Sequence, residues 1–311
     1  MRRPAITLFE NLRTIGYVPF YLAIERGDWT REGVDVAVTL SPSTEYTAQG
    51  LLDGATDVSW GGPMRVMMHH DAARKRGEEC PLVCFGQVVA RDPFVLVGRD
   101  PKPDFRFADL KGLRLAVAVE VPTPWMTLQD DLDRAGVMRD DWTRTADRAM
   151  AENVEALSRG EVDVIQVFEP YADLAVTAHG AHVWHRFATR GDVGFTSFYT
   201  TRTFADQERE TCRALVRGIG RSLRYLHGAD PREMAATVAP YFPDLPPEAL
   251  ARIIATLRDV GLWAQTPVFP VTAFVRLKAA LLTGGLITHD IPYDSAVDAD
   301  LSATSVPTDG D

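Results

Sequence analysis

The chain spells one short phrase twice, and that repetition constrains its fold more than any other feature. Leu51, Gly54, Asp57 and Val58 read L-x-x-G-x-x-D-V, and Leu157, Gly160, Asp163 and Val164 read it again. Each copy follows a helical stretch, residues 45–53 or 151–159, and opens an apolar run, residues 58–60 or 162–168. Each run then meets a proline, Pro63 or Pro170. A helix that stops at a glycine and returns at once as a strand is half of a β-α-β unit. Two such units in one chain imply two similar lobes, and two lobes imply a cleft.

The remaining patterns extend this reading. Residues 5–9 read as a strand and 17–26 as a helix. Residues 34–40 form a second strand, in which Val34, Val36, Val38 and Leu40 alternate with Asp35, Ala37 and Thr39. A helix over 63–76 starts favourably with Pro63. Farther on, a strand is predicted over 113–119, a helix over 123–135 and a weak strand over 142–146. A short helix covers 170–178. Strand, helix, strand, helix, strand in each half is the pattern of two mostly parallel α/β sheets flanked by helices. Extended runs at 82–90, 93–98 and 195–201 are followed by helices at 206–226, 231–239, 247–260 and 271–282. This predicts a discontinuous first lobe, 1–90 plus 196–293, and a second over 91–195. Two crossing strands near 86–91 and 194–199 would serve as the hinge. Residues 294–311 are small, polar and acidic, and are expected to be a disordered tail.

At 311 residues, 46% hydrophobic and 24% charged, the chain can bury a core in each of two domains. Its net charge of −10 argues against nucleic acid or an anionic membrane as partner, because both require a basic surface. Cys80, Cys84 and Cys212 show no metal or redox spacing. No stretch reaches the length of a membrane span. The start, Met1-Arg2-Arg3 followed by a short strand, lacks an apolar signal core. As written, the chain is expected in the cytoplasm, or in the periplasm or on a membrane tether if an export segment was trimmed or the start misassigned.

Ile15-Gly16-Tyr17-x-Pro19-Phe20-Tyr21-x-Ala23, Glu25-Arg26-Gly27 and Glu32-Gly33-Val34-Asp35-Val36 resemble the opening of the NMT1/THI5-like and SsuA-like proteins. Phe168-Glu169-Pro170-Tyr171 resembles the turn that closes the second lobe's strand in that family. The resemblance implies a type II periplasmic-binding-protein fold: a solute receptor serving an ABC permease, or one of a few enzymes; a monomer is expected. It implies a ligand in the interlobe cleft at the carboxyl ends of the strands, with closure about the two crossings.

The loops after the strands supply the candidate ligand contacts. Glu10, Asn11, Thr14 and Tyr17 follow the first strand, and Ser43 and Thr44 offer hydroxyls at a helix start, a natural acceptor for an anion or polar group. Trp60, Gly61, Gly62 and Met64 follow the first repeated phrase, where paired glycines fit a close ligand approach or a tight turn. Thr123, Trp125, Glu169 and Tyr171 are the second-lobe equivalents, and Gln87 and Ser197 lie on the crossings. Trp60 and Trp125 could instead be core, Glu169 could serve only the following helix start, and Pro19-Phe20-Tyr21 reads as packing. Arg13 and Arg65 are the close cations. With aromatic rings and carboxylates outnumbering them, the expected ligand is aromatic or heterocyclic, neutral to cationic and pyrimidine-like.

No metal or other cofactor is expected. His179, His182 and His185 form H-x-x-H-x-x-H, a spacing that suits neither a continuous helix nor one strand face, and Gly180 interrupts it. No Walker loop, dinucleotide fingerprint or nucleophile elbow is present. An enzyme on the same fold is the alternative: a pyrimidine-precursor synthase, or a lyase or decarboxylase of small aromatic acids. An intracellular sensor is a further one. The cysteine-rich C-C-C-F-C stretch of the fungal synthases is absent, and residues 10–16 lack the cysteine of the desulfinases. The solute receptor is therefore the preferred reading, with no catalytic residue assigned.

Overall fold

The computed structural model describes residues 5–304 and divides into two compact units. The first contains the described residues up to Arg91, then Gly191–Lys278 and the described residues from Ile287 on. The second contains Asp92–Arg190 and Ala279–Leu286. In chain order the strands are β1 (Ala5–Glu10), β2 (Asp35–Leu40), β3 (Val58–Gly61), β4 (Leu82–Val89) and β5 (Val95–Gly98). They continue with β6 (Arg114–Ala116), β7 (Thr143–Arg144), β8 (Val164–Val167), β9 (His182–Arg186) and β10 (Thr196–Thr201).

The first unit holds a five-stranded sheet in the order β2-β1-β3-β10-β4. β1 runs parallel to β2 and β3, while β10 is antiparallel to both β3 and β4. That arrangement gathers the ends of β1, β3 and β4 and the start of β10 at one sheet edge. Phe20, Trp60, Phe85 and Phe198 are fully buried on one side of the sheet. The amphipathic helix Arg209–Gly228 closes this core with Leu215, Ile219 and Leu223. A Cβ on Gly218 would lie 2.2 Å from Trp29, whose indole donates to the Leu215 carbonyl at 3.1 Å, so only glycine admits that ring.

The second unit holds the sheet β7-β6-β8-β5-β9, parallel across β7, β6 and β8, with β5 antiparallel to both β8 and β9. Both sheets are therefore mixed, each gaining an antiparallel member from a chain segment outside its β-α-β unit. His182 and His185 fall on edge strand β9, which the sequence pattern does not reveal.

Both copies of the repeated phrase fold alike. Helices Tyr46–Leu52 and Met150–Ser158 stop at Gly54 and Gly160, whose φ values of +71° and +72° are left-handed. The Asp57 N–H then donates to the Thr7 carbonyl at 3.2 Å, and the Asp163 N–H to the Arg114 carbonyl at 2.9 Å. Each aspartate thereby ties the returning chain to an existing parallel strand.

The expected disordered tail requires correction. Tyr293–Ala296 and Ala299–Ser302 form helical turns, and Leu301 is fully buried. Arg209 holds Asp298 at 2.9 Å, and the Phe269 N–H donates to Ser302 Oγ at 2.6 Å. Residues 305–311 lie outside the described residues.

Candidate functional site

In the first unit the sequence-derived candidates converge on the sheet edge where β1 and β3 end. Glu10, the last residue of β1, is buried and already saturated. Arg13 grips it with Nε at 3.0 Å and Nη2 at 2.9 Å, and the Tyr21 hydroxyl donates to it. Asn11 follows, its Nδ2 donating to the Tyr17 hydroxyl at 3.2 Å while its buried Oδ1 has no partner among the described residues. Thr14 caps the short Ile15–Tyr17 turn by accepting from the Gly16 N–H at 3.3 Å. Burial pushes the Tyr17 phenol above its ordinary range, opposed by hydrogen bonds from Asn11 and Thr196 and by the charge of Arg65.

Trp60 does not present a face to a ligand. It is 0% exposed and stacked on Phe20 with centroids 4.2 Å apart. Strand alternation turns it into the core and leaves the following residues to form the edge. Ser43 and Thr44 also depart from expectation as an anion acceptor. Ser43 Oγ accepts from the Tyr46 N–H at 3.2 Å, Thr44 Oγ1 donates to Glu45 at 3.1 Å, and the helix they precede has only seven residues.

Gly61 and Gly62 lie where the chain turns from β3 into helix Met64–Lys75. A Cβ on Gly61 would come within 2.8 Å of the Tyr199 hydroxyl and 3.2 Å of Asn11 Cβ, so the close approach is real but made by protein atoms. Tyr199 donates to Thr47 Oγ1 at 2.6 Å, and burial raises its phenol well above the usual range. Ser197 pairs with Gly61 on one side and Gln87 on the other. Gln87 Oε1 is buried without a partner among the described residues, and Ser197 Oγ is sealed from solvent beside the Cys84 thiol. Met64 is buried.

The residue that the sequence reading underrated is Arg65. It is 4% exposed, yet its side chain forms no ion pair within 4.0 Å among the described residues, and Nε and Nη2 are sealed without a hydrogen-bond acceptor. A signal for it existed: a cation in the first turn of a helix faces the positive end of the dipole. Its guanidinium Nη1 lies 3.7 Å from the point where a Cβ on Gly62 would stand, folded back over the loop before the helix.

In the second unit Thr123 begins helix Thr123–Arg134 and is buried. Trp125 meets Trp142 edge-to-face at 5.8 Å, with the Arg144 guanidinium 4.7 Å above its ring. Glu169 accepts from the Asp173 N–H at 2.8 Å, serving the start of helix Tyr171–His179. Tyr171 is half-buried, which raises its phenol, and Glu120 adds to that rise. Beside these, fully buried Asp92 accepts from Thr127 at 3.0 Å and pairs with Arg190 at 2.8 Å.

The three thiols are all buried. Burial pushes Cys84 and Cys212 up to about 12 and raises Cys80, so each is held as the unreactive thiol. Among the described residues, no group of three His, Cys, Asp or Glu could hold a metal ion, and no helix is long and apolar enough to cross a membrane.

YtlA of Bacillus subtilis, named as a candidate binding protein, is 22% identical over 301 residues, covering 96% of this chain and 88% of that protein. The Schizosaccharomyces pombe 4-amino-5-hydroxymethyl-2-methylpyrimidine phosphate synthase is 31% identical over 160 residues, 51% of this chain and 43% of that protein. Among solved structures, the periplasmic aliphatic sulphonate binding protein SsuA of Escherichia coli superposes with a TM-score of 0.76 at 17% identity. That likeness covers 96% of this chain and 99% of the other, and it shows the fold: that of the two-lobed type II periplasmic binding proteins. The family model described as NMT1/THI5 like matches residues 15–234, more than half of the chain, and the chain belongs to the NMT1/THI5-like family.

Proposed function

We propose that this chain is a monomeric solute-binding protein that captures a small molecule at the β1 and β3 ends of its first unit and delivers it to an ABC permease. The observation carrying this reading is the set of buried polar atoms without partners at one sheet edge: Asn11 Oδ1, Gln87 Oε1, and Arg65 Nε and Nη2. Buried polar groups are almost always satisfied in a finished structure, so a cluster of orphans marks a place completed by something else. Likeness to YtlA and to the sulphonate-binding SsuA supports the same role. In that role the protein would meet its solute outside the cytoplasmic membrane.

A pyrimidine-like solute, as expected from the sequence, would stack on Trp60 or Trp125 and donate its amino groups to Glu10 or Glu169. Trp60 lies against Phe20, and Glu10 is occupied by Arg13 and Tyr21. Stacking in the first unit therefore loses its main platform, and polar recognition carries more of the reading. The likeness to a pyrimidine phosphate synthase supports retaining pyrimidines among the solutes to be tested.

A thermal-shift screen of pyrimidines, sulfonates, aromatic acids and polyamines, with mass analysis of each mixture, tests the function. A saturable rise in midpoint with the solute recovered unchanged is the expected result, since a ligand that binds only the folded state stabilises it. Conversion of a solute would establish an enzyme instead, and no stabilisation by any solute would reject the binding role.

A further inference from the structure

Outside the proposed solute site the molecule holds an indole-lined hollow at Trp125 and Trp142, the Asp71–Lys75–His289 cluster, the Asp92–Arg190–Asp131 network and a polar hollow of about 340 Å³ at His70. In both clusters every carboxylate already meets a cation, and the Trp125 ring already has Arg144 over it. The His70 hollow differs, because its cations lack carboxylates. It belongs wholly to the first unit, at the sheet edge where β4 starts and β10 ends, with Leu82 opposite Thr201. The proposed solute site lies at the other edge of the same sheet, where β1 and β3 end.

Two arginines from different elements line this hollow. Arg74 stands in the last turn of helix Met64–Lys75, where the negative dipole end favours a cation. Arg202 follows β10, is half-buried and has no such helix end to answer. Arg74 donates to the Asp290 carbonyl at 2.9 Å and Arg202 to the Ser295 carbonyl, one of the five N–H donors of a guanidinium in each case. Neither forms an ion pair within 4.0 Å among the described residues, and Arg202 Nε and Nη1 are neither paired there nor sealed from solvent. The carboxylates at the rim do not neutralise the pair: Glu78 is held by Arg76 at 2.7 Å, and Glu79 forms no ion pair among the described residues. Buried His70 also lines the hollow, with Nε2 3.0 Å from the Leu82 carbonyl. Burial lowers its pKa and the charges of Arg202 and Arg74 lower it further, so both guanidinium groups act on one ring. Two like charges converging on one open hollow repel each other until an anion joins them.

We propose that this hollow is a phosphoryl-binding site, separate from the solute site, that takes inorganic phosphate or a small phosphate monoester through Arg74 and Arg202. A guanidinium holds an oxyanion by paired hydrogen bonds. One such group fills a planar carboxylate, whereas a tetrahedral phosphoryl group offers acceptors in several directions and can engage two. The volume of about 340 Å³ falls in the range of small-molecule pockets, which leaves room for the body of an ester. Glu78 and Glu79 at the rim are acceptors for hydroxyls on that body. None of these residues belongs to the proposed solute site, so either reading can fail without the other.

The test uses the full chain with inorganic phosphate, glycerol 3-phosphate and acetate as probes, at an ionic strength fixed with chloride. Affinity is read by calorimetry for wild type, Arg74→Gln, Arg74→Lys and Arg202→Gln, and the His70 titration by NMR, its signals assigned with His70→Gln. At least one phosphoryl probe should bind saturably and about 10-fold or more tightly than acetate. Arg74→Gln and Arg202→Gln should each weaken it about 10-fold, the loss of one charge-assisted hydrogen bond, and Arg74→Lys should recover part of that factor. His70 should titrate at higher pH with the phosphoryl probe bound and not with acetate, because the bound anion offsets both guanidinium charges. Equal affinity for the two phosphoryl probes assigns the site to free phosphate, and tighter binding of glycerol 3-phosphate assigns it to a phosphate monoester. Phosphoryl binding no tighter than that of acetate overturns the proposal. So does equal affinity in wild type and both glutamine variants, which would put the anion elsewhere, or a His70 titration that does not move. Should Arg202→Gln fail to fold, Arg74→Gln and the wild-type His70 titration decide.

Discussion

Asp57 holds Thr7 by both of its polar hydrogens, the backbone N–H at 2.7 Å and the hydroxyl at 2.8 Å. Asp163 holds Arg114 in the same manner in the other unit, through the backbone N–H at 2.8 Å and Nε at 2.9 Å. The aspartate of the repeated phrase is therefore a clamp between the returning strand and the one it joins.

Replacing either clamp by alanine should destabilise the protein by about 1–2 kcal/mol, the range for charge-assisted hydrogen bonds at partly exposed sites. The two losses should add, because the clamps sit in separate units with no shared partner. Urea denaturation measures the cost, and hydrogen exchange at Thr7 and Arg114 should accelerate in the respective variants. Asp163→Asn keeps an acceptor for the backbone N–H and should lose less than Asp163→Ala.

The two glycines at the end of β3, Gly61 and Gly62, should behave oppositely. A methyl on Gly61 meets the Tyr199 hydroxyl at 2.8 Å and Asn11 at 3.2 Å, both held by hydrogen bonds, so Gly61→Ala should cost about 1–3 kcal/mol. A methyl on Gly62 meets nothing closer than 3.5 Å, so Gly62→Ala should stay within about 0.5 kcal/mol of wild type. Its methyl would nevertheless stand beside Arg65, and solute affinity should fall without a change in melting temperature.

Trp60 separates a packing role from a stacking role. Trp60→Ala empties a fully buried site against Phe20 and should cost about 3–5 kcal/mol. Trp60→Phe keeps an aromatic ring there and should bind solute like wild type in calorimetry. Loss of binding in a stably folded Trp60→Phe would mean that the indole touches the solute after all.

His185 makes stability pH-dependent. Its ring lies among Phe105, Phe107 and Phe187, with centroids at 5.9, 5.1 and 5.0 Å. Burial, reinforced by the Arg190 charge, lowers its pKa to about 4. The unfolded chain takes up the proton below about pH 6.5 while the folded one resists, so this contribution is complete above that pH and declines toward pH 4. The decline should amount to about 1–2 kcal/mol after allowance for solvent screening, and it should be missing from His185→Gln. Urea midpoints of the two proteins at pH 7 and pH 4.5 give the comparison.

Much of this architecture is written in local signals. Gly54 and Gly160 announce the helix ends, and the apolar runs from Val58 and Val164 announce buried strands, because backbone conformation and burial act over a few residues. What escapes is decided by distant partners. Trp60 reads equally as core or ligand platform until Phe20 is seen beneath it. Glu10 looks available until Arg13 and Tyr21 occupy it. The acidic segment after residue 293 looks disordered because its anchors, Arg209 and Phe269, lie far back in the chain. Arg65 is visible as a cation, but that no carboxylate among the described residues forms an ion pair with it is a property of three dimensions alone.

The clamps act at the entry of β3 and of β8, from Asp57 and Asp163, whereas the Arg65 turn lies past the exit of β3. Register is thus anchored on the side of the sheet remote from solute recognition, and residues 62–65 carry none of that anchoring. The arrangement is a fixed stem with an exchangeable tip: grafting a new tip after Gly61 would re-aim the proposed solute site while the aspartates keep the sheet in place.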